Sequence, residues 1–281
     1  MEKHVIWRGI LAGALAGVLA FIWSKIFIEP IVGRAIDFED GSAAAHEAME
    51  AAAAHGHHHE EGGELFTRAV QSTVGMGLGV LAFSVALGAL FAVVFCVVYS
   101  RTSNITARTL SVLVAGAMLI SLWVVPGLKY PPSPPATSLD TTIKDRVLFY
   151  LLMVALSALL MVAAVYLGSQ LAPRFGAWNA TVLAGAAYIV AVAVLMLVLP
   201  TVDETPGPIH DAAGTIVFPG FPAADLYEFR LFALGTQVII WTTIGLAGAA
   251  MLSRLLDRKT NRAADRVLTF GHSASVDGGS G

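Results

Sequence analysis

The sequence predicts an all-α fold, a polytopic bundle of about six membrane-spanning helices, and three observations predict it. Of 281 residues, 56% are hydrophobic and only 13% charged, roughly half the charged share of an ordinary soluble domain. Six apolar runs, at residues 5–28, 74–98, 109–128, 147–167, 181–199 and 231–252, are each close to the ~20 residues a helix needs to cross a hydrocarbon core. The polar residues between these runs segregate by sign along the chain, as they do in proteins whose loops alternate between two sides of a bilayer.

The first run starts basic and apolar, like a secretory leader, but continues through "FIWSKIFIEP" with bulky residues where a small-residue cleavage site belongs. It is read as a retained helix whose Lys25 snorkels from near the outer end. Residues 29–73 form a long loop. Its alanine-rich part from Ser42 to Ala54 favours helix with Ser42 as the N-cap, and Gly56 ends it. The second run carries "GMGLG" and the single cysteine, Cys96, which excludes a disulfide framework and a thiolate metal site. After the third run, residues 129–146 begin extended because "KYPPSPP" forbids helix. Between the fifth and sixth runs, residues 200–228 are rich in Pro and Gly and hold an apolar patch, "TIVFPGF", suited to a membrane surface. The spans and their loops make one unit over residues 1–256. Residues 257–281 are expected to be a cytoplasmic, disordered tail.

Orientation follows from Lys and Arg. With the N-terminus inside, the inner segments hold ten basic and four acidic residues, and the outer loops six basic and sixteen acidic ones. Both termini are therefore expected in the cytoplasm and the 29–73 loop outside. An internal repeat of helical hairpins is also suggested. "LAGA" at Leu11, "VAGA" at Val114 and "LAGA" at Leu183 each open an outward span ending near Pro30, Pro126 or Pro200. An acid–arginine pair in "ELFTR", "KDR" and "YEFR" precedes each returning span, and internal repeats are common in transporters.

Within the spans there is no Asp, Glu or His and no Lys or Arg beyond Lys25 and Arg8, so no proton relay is indicated. The small-residue runs "GILAGALAG" and "GMGLG" read as helix-packing faces, and the span methionines as core filling. No Ser/His/Asp set, paired carboxylates, HExxH or phosphate-loop context appears, and an enzyme is not expected. Sequons at Asn104 and Asn179 fall in inner loops. No nucleic-acid partner or organic cofactor is indicated. The lipid bilayer is the certain partner, and a homo-oligomer is left open.

The polar chemistry concentrates in "HEAMEAAAAHGHHHEEGGE". His46, His55, His57, His58, His59, Glu60, Glu61 and Glu64 offer imidazole and carboxylate ligands suited to Co²⁺, Ni²⁺ or Zn²⁺. Adjacent histidines without fixed spacing make a loose, exchanging site. Glu29, Glu64, Asp203 and Glu228 are candidates for the mouth of an ion pathway. A membrane-anchored metal sensor or assembly scaffold, or a nickel or zinc transporter, explains the same ligands.

Four stretches together resemble one family: "RGILAGALAGVLAFIWSKIFIEPIVGRAIDFED", "HGHHHEEGGELFTRAVQSTVG", "LKYPPSPPAT" and "FRLFALGTQVIIWTTIGLAG". In order and spacing they are similar to the CbtA family of predicted cobalt transporter subunits of bacteria and archaea, over residues 8–252. The resemblance implies a polytopic subunit of the cell membrane. It would work with CbtB, a small single-span partner carrying its own histidine motif, in cobalt uptake for cobalamin synthesis. The recurring family positions correspond to His55, His57, His58, His59 and Glu64, to Glu29 and Pro30, and to Lys129, Tyr130 and Pro131. The family is usually described with fewer spans than six, the first or the Pro-flanked third being the one in question.

Overall fold

In the computed structural model, residues 2–52, 71–102, 105–135, 137, 142–202 and 205–276 are described. The helical segments are α1 (Glu2–Trp23), α2 (Glu29–Ala52), α3 (Met76–Tyr99), α4 (Ala107–Leu119), α5 (Val125–Lys129), α6 (Ile143–Val198) and α7 (Ala223–Val276), with a two-stranded ribbon of β1 (Ile209–His210) and β2 (Ile216–Phe218). Among the described residues, five helical stretches are long and apolar enough to cross a membrane. The fourth and fifth runs share one of these stretches, α6, 56 residues long, as two helices joined at a kink. Gly176 interrupts it at φ 77° and ψ 158°, a conformation essentially reserved for glycine. The arms 143–175 and 177–198 fold back on each other there: Ser157 and Tyr188 share a hydrogen bond of 2.8 Å. The expected inner loop is thus reduced to one residue, and the Asn179 side chain donates to the Phe175 carbonyl across the break at 3.1 Å.

The first run does not end at Pro30. Proline lacks an N–H and its ring crowds the carbonyl four residues back. The chain absorbs this by widening one turn: Ser24–Ile28 is a π-turn in which the Glu29 N–H donates to the Ser24 carbonyl, and helix resumes as α2. The same device recurs before Pro126, where Ile120–Val124 is a π-turn closed by the Val125 N–H on the Ile120 carbonyl. The first two outward runs therefore carry a π-turn, one intervening residue and a proline, whereas the third reaches Pro200 without one. Ser42 consequently lies inside a continuous helix and is no N-cap, because nothing unwinds the chain between Glu29 and Ala52. α7 runs as helix through Val276, in keeping with the helix-forming Ala, Arg, Leu and Lys content of residues 257–268.

Two compact units divide the chain. The first comprises Met1–Gly17, Leu81–Gly116 and Ile240–Gly281. Backbone-to-backbone crossings hold it together. A Cβ on Gly9 would collide with the Gly88 carbonyl, and one on Gly88 with the Gly9 carbonyl, the close approach that small residues allow in lipid. Phe91, Ala92, Phe95, Ile240, Trp241, Ile244 and Leu252 are buried around this crossing. Ser111 Oγ donates to the Gly245 carbonyl at 2.8 Å. Thr106 caps α4 by accepting the Thr109 N–H at 3.2 Å.

The second unit is Val18–Val80 with Ala117–Ile239. Its core gathers Val125, Tyr130, Met153, Tyr188 and Val192, beside a ring cluster of Trp23, Phe27 and Phe232. The apolar patch of residues 215–221 forms β2 and the following loop. Its reversal is made by Asp211, whose Oδ1 accepts the N–H groups of Ala213 (2.9 Å) and Thr215 (2.8 Å), with Gly214 at φ 83°. Phe218 and Phe221 then pack on Phe38 of α2, with ring centroids 5.2 and 5.1 Å away.

Candidate metal site and pathway mouth

The ligand-rich stretch begins where α2 ends. With 24 residues at about 1.5 Å each, α2 is about 36 Å long and carries exposed His46, Glu47 and Glu50 on its last turns. His46 and Glu50 are four apart and share a face. His55, His57, His58, His59, Glu60, Glu61 and Glu64 lie outside the described residues, as does Asp203. Among the described residues no three His, Cys, Asp or Glu side chains converge.

At the base of α2 the proposed mouth is organised by arginine. Arg34 Nε donates to Asp225 Oδ1 at 2.8 Å and its Nη2 reaches the same oxygen at 2.7 Å. That Nη2 also approaches Glu228 Oε2 at 3.3 Å. Glu228, expected to face a permeating cation, is thus already paired with a cation of the chain. Glu29 lies 3.9 Å from Lys25 Nζ, one helical turn away. The structure joins Glu228 to Asp225 through Arg34 and leaves Glu29 with Lys25, so these acids act first as anchors. Asp225 and Arg34 were not singled out from sequence. The signal for them was weak, since the pair is 191 residues apart.

The proline loop gives Lys129, Tyr130 and Pro131 their places. Tyr130 is 2% exposed; its ring stacks on Phe149 and its hydroxyl donates to the Pro200 carbonyl at 2.7 Å. Prolines supply carbonyls without N–H groups, and two arginines meet that surplus. Arg146 Nη2 donates to the Pro131 carbonyl at 2.7 Å and Arg230 Nε to the Pro132 carbonyl at 3.3 Å. These are the arginines of "KDR" and "YEFR", so the acid–arginine pattern marks latches of the loop. Lys129 closes α5, where a cation suits the exposed carbonyls. A separate groove of about 770 Å³ in this unit, lined by Met161, Val165, Gly185, Ile189 and Met196 among others, is almost wholly apolar and holds no charged side chain.

Long apolar helices, small-residue crossings and arginine latches near the helix ends define a multi-pass helical membrane protein. Its one dense set of metal-ligand side chains is on a segment between two of those helices. The chain belongs to the CbtA family, described as a probable cobalt transporter subunit, whose pattern matches residues 2–253. Membership makes the protein a membrane transport subunit for cobalt, and a subunit has a partner. No curated protein and no solved structure matches the chain.

Proposed function

We propose that this chain collects Co²⁺ from outside the cell membrane on the tract His55, His57, His58, His59, Glu60, Glu61 and Glu64, with His46 beside it, and passes the ion to or through its helix bundle. The ligand tract itself carries the reading: it is the one place where this chain offers imidazole and carboxylate together in number. Its acidic surroundings concentrate dications, and a loosely spaced tract releases them again. Both termini are then cytoplasmic, in line with the Lys/Arg bias. The working partner is a small single-span subunit of the CbtB kind with its own histidines. No ATP motif is present in the sequence, so the membrane potential, ~2.3 kcal/mol per charge per 100 mV, or another subunit drives entry.

A second reading has a specific observation in its favour. Because Glu228 and Glu29 are already ion-paired, the bundle also suits a scaffold that presents metal to its partner. Deleting residues 55–59 and measuring radioactive cobalt uptake tests the tract; unchanged uptake rejects its role. Proteoliposomes containing this chain with and without its partner, offered Co²⁺, Ni²⁺ and Zn²⁺, separate the two readings. Flux through the chain alone supports conduction, flux only with the partner supports presentation, and no cobalt flux in either rejects transport.

A further inference from the structure

Among the described residues, two buried side-chain polar atoms have no hydrogen-bond partner: Ser84 Oγ and Trp241 Nε1. Their residues are 0% and 2% exposed, and both belong to the first unit. In hydrocarbon an unpaired donor or acceptor carries its full desolvation cost, since no lipid group can satisfy it.

Helix register places the two residues at one level. α1 runs antiparallel to α3, with Gly9 against Gly88 and Ala92, and Gly17 against Leu81 and Ser84. Within the same unit α4 runs antiparallel to α7, with Arg108 donating to Ser253 Oγ at 3.1 Å and Gly245 against Ala115, and it returns alongside α3 after a short turn. α3 and α7 therefore run the same way. A Cβ on Gly248 would lie 3.0 Å from the Phe91 ring, which sets their register. Ser84 precedes Phe91 by seven residues, and Trp241 precedes Gly248 by seven. Seven residues are close to two full turns, so Ser84 and Trp241 keep the depth and facing of that contact. Each falls near the middle of its apolar run. Gly13 and Gly17 of α1 border Ser84 and add no side chain to the space.

We infer that Ser84 and Trp241 bind a buried water molecule at mid-membrane depth in this unit. The indole N–H is a donor only, so its guest presents an oxygen lone pair, which excludes a bare cation. A water accepts from Trp241 Nε1 and exchanges a hydrogen bond with Ser84 Oγ, meeting both needs with one molecule. The unit also buries the hydroxyls of Ser111 on α4 and Ser253 on α7, the latter accepting from Arg108 Nε at 3.1 Å. The water thus adds to the buried polar groups of the unit. Its use as a stepping point for hydrated cargo rests on the transport reading above; its presence does not.

The test uses the full chain in lipid nanodiscs with isotope-labelled tryptophan, following each indole N–H by NMR. Trp241→Phe assigns the signal, and Trp23, whose indole is bonded to Phe232, is the internal control. The expected result is a water cross-peak at the Trp241 indole and exchange into D₂O about tenfold faster than at Trp23, the factor of one ordinary hydrogen bond. Ser84→Ala, which removes the hydroxyl without adding volume, is expected to weaken the cross-peak. A wild-type Trp241 indole with no water cross-peak and exchange as slow as that of Trp23 overturns the inference. So does a cross-peak that Ser84→Ala leaves unchanged. Cobalt flux enters none of these readouts, so failure here is separable from failure of the transport reading.

Discussion

Glycine serves the two units in opposite ways. In the first, Gly88 and Gly9 are required because their backbones touch, and any side chain meets a carbonyl. In the second, Gly176 has nothing within 4 Å of where a Cβ would sit and is required because its φ of 77° with ψ of 158° is closed to other residues. The first unit is held by apolar shape with few polar contacts, and the second by rings and by arginines on carbonyls and carboxylates. Burial without solvent makes the first intolerant of volume. The second adds to its core many individually modest bonds near the helix ends.

Substitutions that add volume and substitutions that change only conformation test this contrast. Gly88→Leu is expected to be the most damaging, costing about 3 kcal/mol at the upper end for overpacking, read as loss of a monodisperse peak and of thermal stability in detergent. Gly176→Ala comes next, at about 1–3 kcal/mol of backbone strain. Gly176→Asn should fare no better, because this φ/ψ pair lies outside the left-handed helical region that Asn tolerates. If Gly176→Ala is silent while Gly88→Leu is not, conformation is not what the break needs. Tyr130→Phe removes one buried hydrogen bond, to the Pro200 carbonyl, for about 1 kcal/mol. The melting temperature of the purified protein should fall slightly, with proteolysis of the proline loop faster.

The smallest effect is expected at Arg34. Its side chain is 45% exposed, and exposed ion pairs contribute about 0–1 kcal/mol. Arg34→Met should barely move the melting temperature at high salt and lower it measurably only at low salt, where screening is weak. A salt-independent loss would mean that Arg34 acts through packing.

The number and placement of the apolar runs were readable because crossing a bilayer depends on length and composition, which are properties of a line. The extended proline loop and the isolation of the His/Glu tract were readable for the same local reasons. Where local rules misled, they did so at prolines and caps. Pro30 signals the end of a helix that a π-turn carries past it, and Ser42 is a cap by residue type although the chain never leaves helix there. The arginines show the harder limit. "KDR" and "YEFR" were visible as a pattern, yet their target, two carbonyls in the proline loop, was not.

By itself, then, the sequence determined that this chain crosses the membrane several times and that its metal-ligand side chains are concentrated in one segment between helices. Hydrophobic length and ligand type are written residue by residue. Only the tertiary structure decided that Arg34 meets Asp225 and Glu228, that Tyr130 meets Pro200, and that Ser111 meets Gly245. Those meetings depend on which helices become neighbours and on the rotation each adopts, and both are set by packing between segments far apart in the chain.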